Sequence, residues 1–192
     1  MTTLMHLEVL KMRSIRNIFL ALSFLLMMFA SNVHAQKQDL PKPGPEHKKL
    51  EVWNGTWAYE GTEEDAVFKT GGKFVGKSVT HMSAGGFVQV STSTEKTYQG
   101  FDVTWYDFAS KTYKNKSFDN SGKVTTSSST VEGNIWNYTG TMTGPDGKIY
   151  NVRGLTTFSE DGKMAKNKTE ISKDDGKTWM LWWEYTSLRK KK

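Results

Sequence analysis

From Asn54 to the C-terminus, apolar and polar positions alternate in short runs, and no stretch holds a helical period. Turn signals separate the runs: Gly71-Gly72, Gly85-Gly86, Asn120-Ser121-Gly122, Glu132-Gly133-Asn134, Pro145-Asp146-Gly147, Glu160-Asp161-Gly162 and Asp174-Asp175-Gly176. This pattern predicts strands over 54–61, 73–83, 86–94, 98–107, 111–118, 123–131, 134–142, 148–158, 163–172 and 177–187. Glu46 to Trp53, following Pro45, has room for one or two helical turns. Tight connections throughout, with no long crossover, favour an all-β, up-and-down antiparallel barrel of about ten strands, since closure removes both exposed edges.

The N-terminus follows a different pattern. Lys11, Arg13 and Arg16 precede an apolar run from Ile18 to Ala30 that only Ser23 interrupts, and Val33-His34-Ala35 then supplies small residues. This order is that of a secretory signal peptide over residues 1–35, cleaved near Ala35, whether translation starts at Met1 or Met12. The run is shorter than the roughly 20 residues a membrane span needs. Residues 36–45 carry Pro41, Pro43 and Pro45 and read as a linker, which leaves 46–192 as one barrel domain. The expected location is therefore secreted or periplasmic. Runs such as Lys163–Lys173 lack the apolar outer face of an outer-membrane barrel.

Composition narrows the chemistry. The chain has no Cys, which excludes disulfides, Cys-ligated zinc and thiol catalysis. Its 26 Lys+Arg and 20 Asp+Glu give +6, and removing Lys11, Arg13, Arg16 and Glu8 with the leader leaves +4. The lysines are spread over many strands, so nucleic acid is not an expected partner.

The residues at both ends of the barrel are more specific. Gly55-Thr56-Trp57 enters the first strand and Arg189 follows the last, an arrangement similar to lipocalin-like proteins, in which such a Trp closes one end under an Arg. Pro43-Gly44-Pro45-Glu46-His47-Lys48-Lys49-Leu50, Gly85-Gly86-Phe87-Val88, Tyr106 to Tyr113, Thr143-Gly144-Pro145-Asp146-Gly147-Lys148, Arg153, Glu170 and Arg189-Lys190 together resemble the domain of unknown function 1579 family over roughly residues 43–190. The resemblance implies a calycin-like barrel, usually exported or free-standing, with no established activity.

No nucleophile triad, phosphate loop or metal-ligand cluster is visible, and no cofactor is expected. Nitrobindin-type barrels hold haem through an axial His, but no residue-by-residue match to them appears, although His81 on the second strand is placed to face a cavity. Aromatic residues concentrate on strands, namely Trp105, Trp136 with Tyr138, and Trp179, Trp183 and Tyr185 on one face. Few Leu or Ile remain to fill a barrel of this size. The expected cavity set is Arg153, Glu170, Trp105, Trp136, Tyr138, Trp183, Tyr185 and His81. Arg153 is expected to anchor a polar head, with Glu170 diagonal to it, while the rings take an apolar body. The expected function is non-catalytic binding of an amphiphilic or hydrophobic small molecule. An isomerase- or cyclase-like enzyme and a structural envelope module are the alternatives, and the oligomeric state stays open.

Overall fold

The computed structural model describes residues 42–64 and 71–191. The expected leader, most of the linker and the turn of the first hairpin lie outside the described residues. Pro45–Lys49 forms a short helix, α1, that runs into a 3-10 turn over Leu50–Trp53. Pro45 opens the helix without losing a needed N–H, and the Gly44 N–H donates to His47 Nδ1 at 3.1 Å.

Ten strands follow: β1 Gly55–Glu63, β2 Gly72–Ser83, β3 Val88–Thr94, β4 Gln99–Asp107, β5 Thr112–Asp119, β6 Val124–Glu132, β7 Ile135–Thr143, β8 Ile149–Phe158, β9 Met164–Ser172 and β10 Met180–Arg189. Each pairs antiparallel with the next, and β1 pairs with β10 from Trp57↔Arg189 to Glu63↔Trp183, closing the barrel. The up-and-down topology is the one the turn spacing predicts. Most strands begin within two residues of the positions read from the alternation.

The last strand differs most. It starts at Met180 rather than near 177, because the preceding segment forms a bonded loop. Asp174 Oδ1 accepts from the Thr178 N–H at 2.8 Å, Ser172 Oγ accepts from the Gly176 N–H at 2.8 Å, and Asp175 takes φ 57°.

Register divides every strand into an outer and an inner face. Trp57, Tyr59, Gly61 and Glu63 of β1 point inward, and the pairing carries that parity around the sheet. One end of the barrel is plugged. Leu50 from the 3-10 turn and Trp57, Tyr113, Trp136, Phe158 and Ala165 from the strands form a buried cluster there. The plug is bonded as well as packed. Gln89 Nε2 donates to the Leu50 carbonyl at 2.5 Å, Trp57 Nε1 to the Trp53 carbonyl at 2.7 Å, and the Tyr113 hydroxyl to Glu46 Oε2 at 2.7 Å. The Arg189 guanidinium lies 4.6 Å over the Trp57 ring and donates to the Val52 carbonyl. A planar cation does both at once, and a lysine ammonium does not. His47 is buried in the same plug, with the Phe87, Tyr106 and Phe108 rings around it.

Candidate functional site

Beyond the plug the interior changes character. On the β7–β10 side, Met142, Tyr150, Val152, Ile171 and Trp182 form a second buried cluster. Across from it, many inward positions of β2 to β5 are short and polar: Ser78 on β2, Ser91 and Ser93 on β3, Thr104 on β4, and Asn115 and Ser117 on β5. Serine hydroxyls and amides on an inner barrel wall leave volume that aliphatic side chains would occupy.

Side chains bordering that volume keep accessible surface. In the plug, Trp57 and Trp136 are fully packed. In the middle, Asp102, Tyr138 and Tyr185 are surrounded by protein on all sides, yet each keeps water-accessible surface. A side chain that is deep and still accessible borders a hollow. The hollow is lined on one side by the serine wall and on the other by tyrosines, with Trp183 beside Tyr185 at a ring separation of 5.1 Å.

Glycines set where the tyrosines lie. A Cβ on Gly76 would sit 2.4 Å from the Tyr59 ring, one on Gly100 2.5 Å from the Tyr98 hydroxyl, and one on Gly154 2.5 Å from the Tyr138 hydroxyl. The hydroxyl end of each ring therefore packs against glycine backbone, for Tyr59 and Tyr138 on the neighbouring strand and for Tyr98 two residues along its own chain. The lumen keeps its width, and the phenol oxygens are fixed. Tyr138 bonds the Thr169 hydroxyl, and Tyr59 donates to Glu95 Oε1 at 3.1 Å. Burial is the largest cause holding Tyr59, Tyr98, Tyr138 and Tyr185 in their neutral, donating form, well above the usual phenol range.

Asp102 sits at the centre of this arrangement. Its register partner is Ser117 on β5, with Ser91 on its other side. Burial pushes its carboxyl from 3.8 up to about 6, against the opposing pull of hydrogen bonds from Ser117 and Asn115. Its charge is among the causes that raise Tyr98 and Tyr185, so both phenols lie within its field. Towards the end opposite the plug, Glu63 accepts from Trp182 Nε1 at 2.8 Å, and Lys123 pairs with Asp119 at 3.5 Å beside the Trp182 ring. Burial raises Glu95 as well, with Glu63 adding to the effect and Lys123 opposing it. Among the described residues, no group of three His, Cys, Asp or Glu side chains is arranged to hold a metal ion.

The expected cavity residues divide between the two faces. Tyr138, Trp183 and Tyr185 border the hollow. Trp136 points inward but belongs to the plug. Four residues are turned outward by strand parity, and each corrects an expectation. His81 pairs with Val90 on the outer face and is exposed. Trp105 lies on the outer face between Val88 and Lys114. Arg153 stands directly opposite Glu170 rather than diagonal to it, outside the barrel, with Nε 2.7 Å from Glu170 Oε2 and the guanidinium 4.2 Å over the Trp179 ring. Its side chain is 45 % exposed, so Arg153 does not anchor a ligand in the lumen. A β-bulge between Leu181 and Trp183 also breaks the single face expected for β10. Trp183 and Tyr185 point inward, Leu181 pairs with outward Glu170, and Trp179 lies before the strand.

The sequence reading missed Asp102 and the serine wall. Their signal was present in the alternation: Gly100, Asp102 and Thr104 share parity, as do Asn115 and Ser117. A carboxylate flanked on both neighbouring strands by serine was the sign of a polar interior.

No helix among the described residues is long and apolar enough to cross a membrane. No family model matches the chain, and no curated protein does. Among solved structures it is similar to the crystal structure of Rv2717c from M. tuberculosis, with a TM-score of 0.54 at 9% sequence identity, over 77% of this chain and 99% of that one. At that identity the likeness supports the barrel-type fold alone.

Proposed function

We propose that this protein is an exported binding protein that holds a small molecule in the barrel lumen without covalent chemistry. The observation that carries the reading is the hollow between the serine wall and the tyrosines, inside a barrel whose other end is packed and latched. A barrel serving only as a scaffold gains most by filling its core, since unfilled interior forfeits dispersion contacts. Here inward serines and glycines occupy positions that larger apolar side chains would stabilise. The few polar groups converging on the space are the usual means of orienting a ligand.

The lumen chemistry favours a polar or amphiphilic ligand over a purely hydrophobic one. The basic, apolar and small-residue order of residues 11–35 supports export to a secreted or periplasmic location. The quoted motifs support kinship with the domain of unknown function 1579 family. Native mass spectrometry of the protein purified from its own host tests the binding reading. A retained small molecule that leaves on gentle activation is the expected result. An unliganded mass, together with water excluded from the lumen in a high-resolution crystal structure, overturns it.

A second reading has one observation in its favour. Asp102, with its carboxyl near neutrality among fixed phenols, has the form of a general acid–base group. An isomerase- or cyclase-like activity would show a pH–rate profile governed by a group near 6 that Asp102→Asn abolishes.

A further inference from the structure

Resting on the lumen-binding reading above, we infer that the ligand is an organic cation, an amine or quaternary ammonium on an aromatic or similarly flat body, with Asp102 as its counter-ion. Among the described residues, the only cationic side chain at an inward strand position is Arg189, and it is committed to the plug, stacked on Trp57 and bonded to the Val52 carbonyl. Lys123 belongs to the turn before β6 and is paired with Asp119.

Of the inner carboxylates, Asp119 pairs with Lys123 and Glu95 lies within the field of that lysine, whereas no cation is among the groups acting on Asp102. Asp102 stands in the middle of the barrel, contacted by a hydroxyl and an amide, and Glu63 and Glu95 follow towards the end opposite the plug. This lies inside a chain that is basic overall. Lysine is frequent on the outer face, whereas among the described inner residues it is represented by Lys123 at the β5–β6 end, paired with Asp119, so the middle of the lumen is opposite in sign to the surface. An isolated buried carboxylate costs stability unless it is paired. The partner the protein does not supply is a cation.

The aromatic side points the same way. Tyr59, Tyr185 and Phe74 form a ring contact set at 5.5 to 6.1 Å, and Trp183 extends it. The negative faces of such rings attract a cation, and the attraction is strongest where water is displaced. An anionic head would instead meet Asp102, Glu95 and Glu63 together. The titratable and charged groups facing this space are Asp102 of β4, Tyr59 and Glu63 of β1, Glu95 and Tyr98 of the β3–β4 turn, Tyr138 of β7 and Tyr185 of β10, with Asp119 and Lys123 at the β5–β6 end. The phenols are neutral, so the pH response in the mildly acidic range belongs to Asp102 and Glu95, whose carboxyls burial raises, with Asp102 the deeper.

Three probes sharing one ring system separate the possibilities: 1-naphthylmethylammonium, 1-naphthylmethanol and 1-naphthoate, each titrated calorimetrically into the full mature chain. The expected result is that the ammonium binds at least about tenfold more tightly than the alcohol, with naphthoate weakest. Asp102→Asn should bring the ammonium down to the affinity of the alcohol and leave the alcohol unchanged. If that variant fails to fold, the wild type gives the same answer on lowering the pH from about 8 to about 5, since only the ammonium should weaken as Asp102 protonates. Equal or tighter binding of the alcohol or naphthoate overturns the cation inference and leaves lumen binding standing. Failure of all three to bind overturns both.

Discussion

Replacing Asp102 with Asn should make the empty protein more stable at neutral pH. The carboxyl titrates near 6 in the fold against an ordinary 3.8, so between those values the native chain holds a proton the unfolded chain has released. Stability from this group is therefore greatest at low pH, declines as pH rises from about 4 to about 6, and is lost above that interval. Each tenfold change in proton affinity is worth about 1.4 kcal/mol, which gives about 3 kcal/mol for the full interval. Water in the lumen offsets part of that cost, so roughly 2 kcal/mol is the expected gain for Asp102→Asn near pH 8. For a domain of this size that corresponds to about 4–8 °C in Tm. Asn keeps the shape and one acceptor for Ser117 or Asn115, so the comparison isolates the charge. Urea unfolding of both proteins across the pH range is the assay. The gap should shrink to a few tenths of a kcal/mol at about pH 4, where both side chains are neutral. Equal stability near pH 8, or a gap that does not change with pH, would refute the view that Asp102 is a buried and uncompensated charge.

Other substitutions test the surrounding structure. Gly76→Ala places a methyl 2.4 Å from the Tyr59 ring and should cost about 1–3 kcal/mol in urea unfolding, with Tyr59 displaced towards the lumen. Arg189→Lys keeps the charge but loses the stack on Trp57 and the guanidinium hydrogen bond to the Val52 carbonyl, so it should cost about 1–2 kcal/mol and speed hydrogen exchange in residues 46–53. Arg153→Ala removes an exposed ion pair with Glu170 and should change stability by less than about 1 kcal/mol, with ligand affinity unaffected.

The alternation and turn residues carried most of the fold, because a two-residue period and Asp-Gly or Asn-x-Gly turns are local properties. They placed ten strands and the helical turn after Pro45, and they favoured closure. The inward face was harder to read. Parity within one strand does not say which parity faces the axis, and Arg153 and His81 were assigned to the wrong one. The bulge at Leu181–Trp183 shifts parity within a single strand without a glycine or proline to mark it. Asp102 was obscured for a different reason. A buried carboxylate is recognisable only once its neighbours on β3 and β5 are known, and those contacts depend on register between strands. Two of the tyrosine–glycine pairs depend on it too, since Gly76 meets Tyr59 across the β1–β2 ladder and Gly154 meets Tyr138 across β7–β8.

A ligand-accepting lumen is open to direct test. Isotope-filtered NOE spectroscopy of the mature chain with 1-naphthylmethylammonium probes that lumen directly. Contacts from the naphthyl protons to Tyr59, Tyr138 and Tyr185, with the methylene close to Asp102, are predicted. Contacts confined to outer-face residues such as Phe101, Trp105 and Phe118 would contradict it.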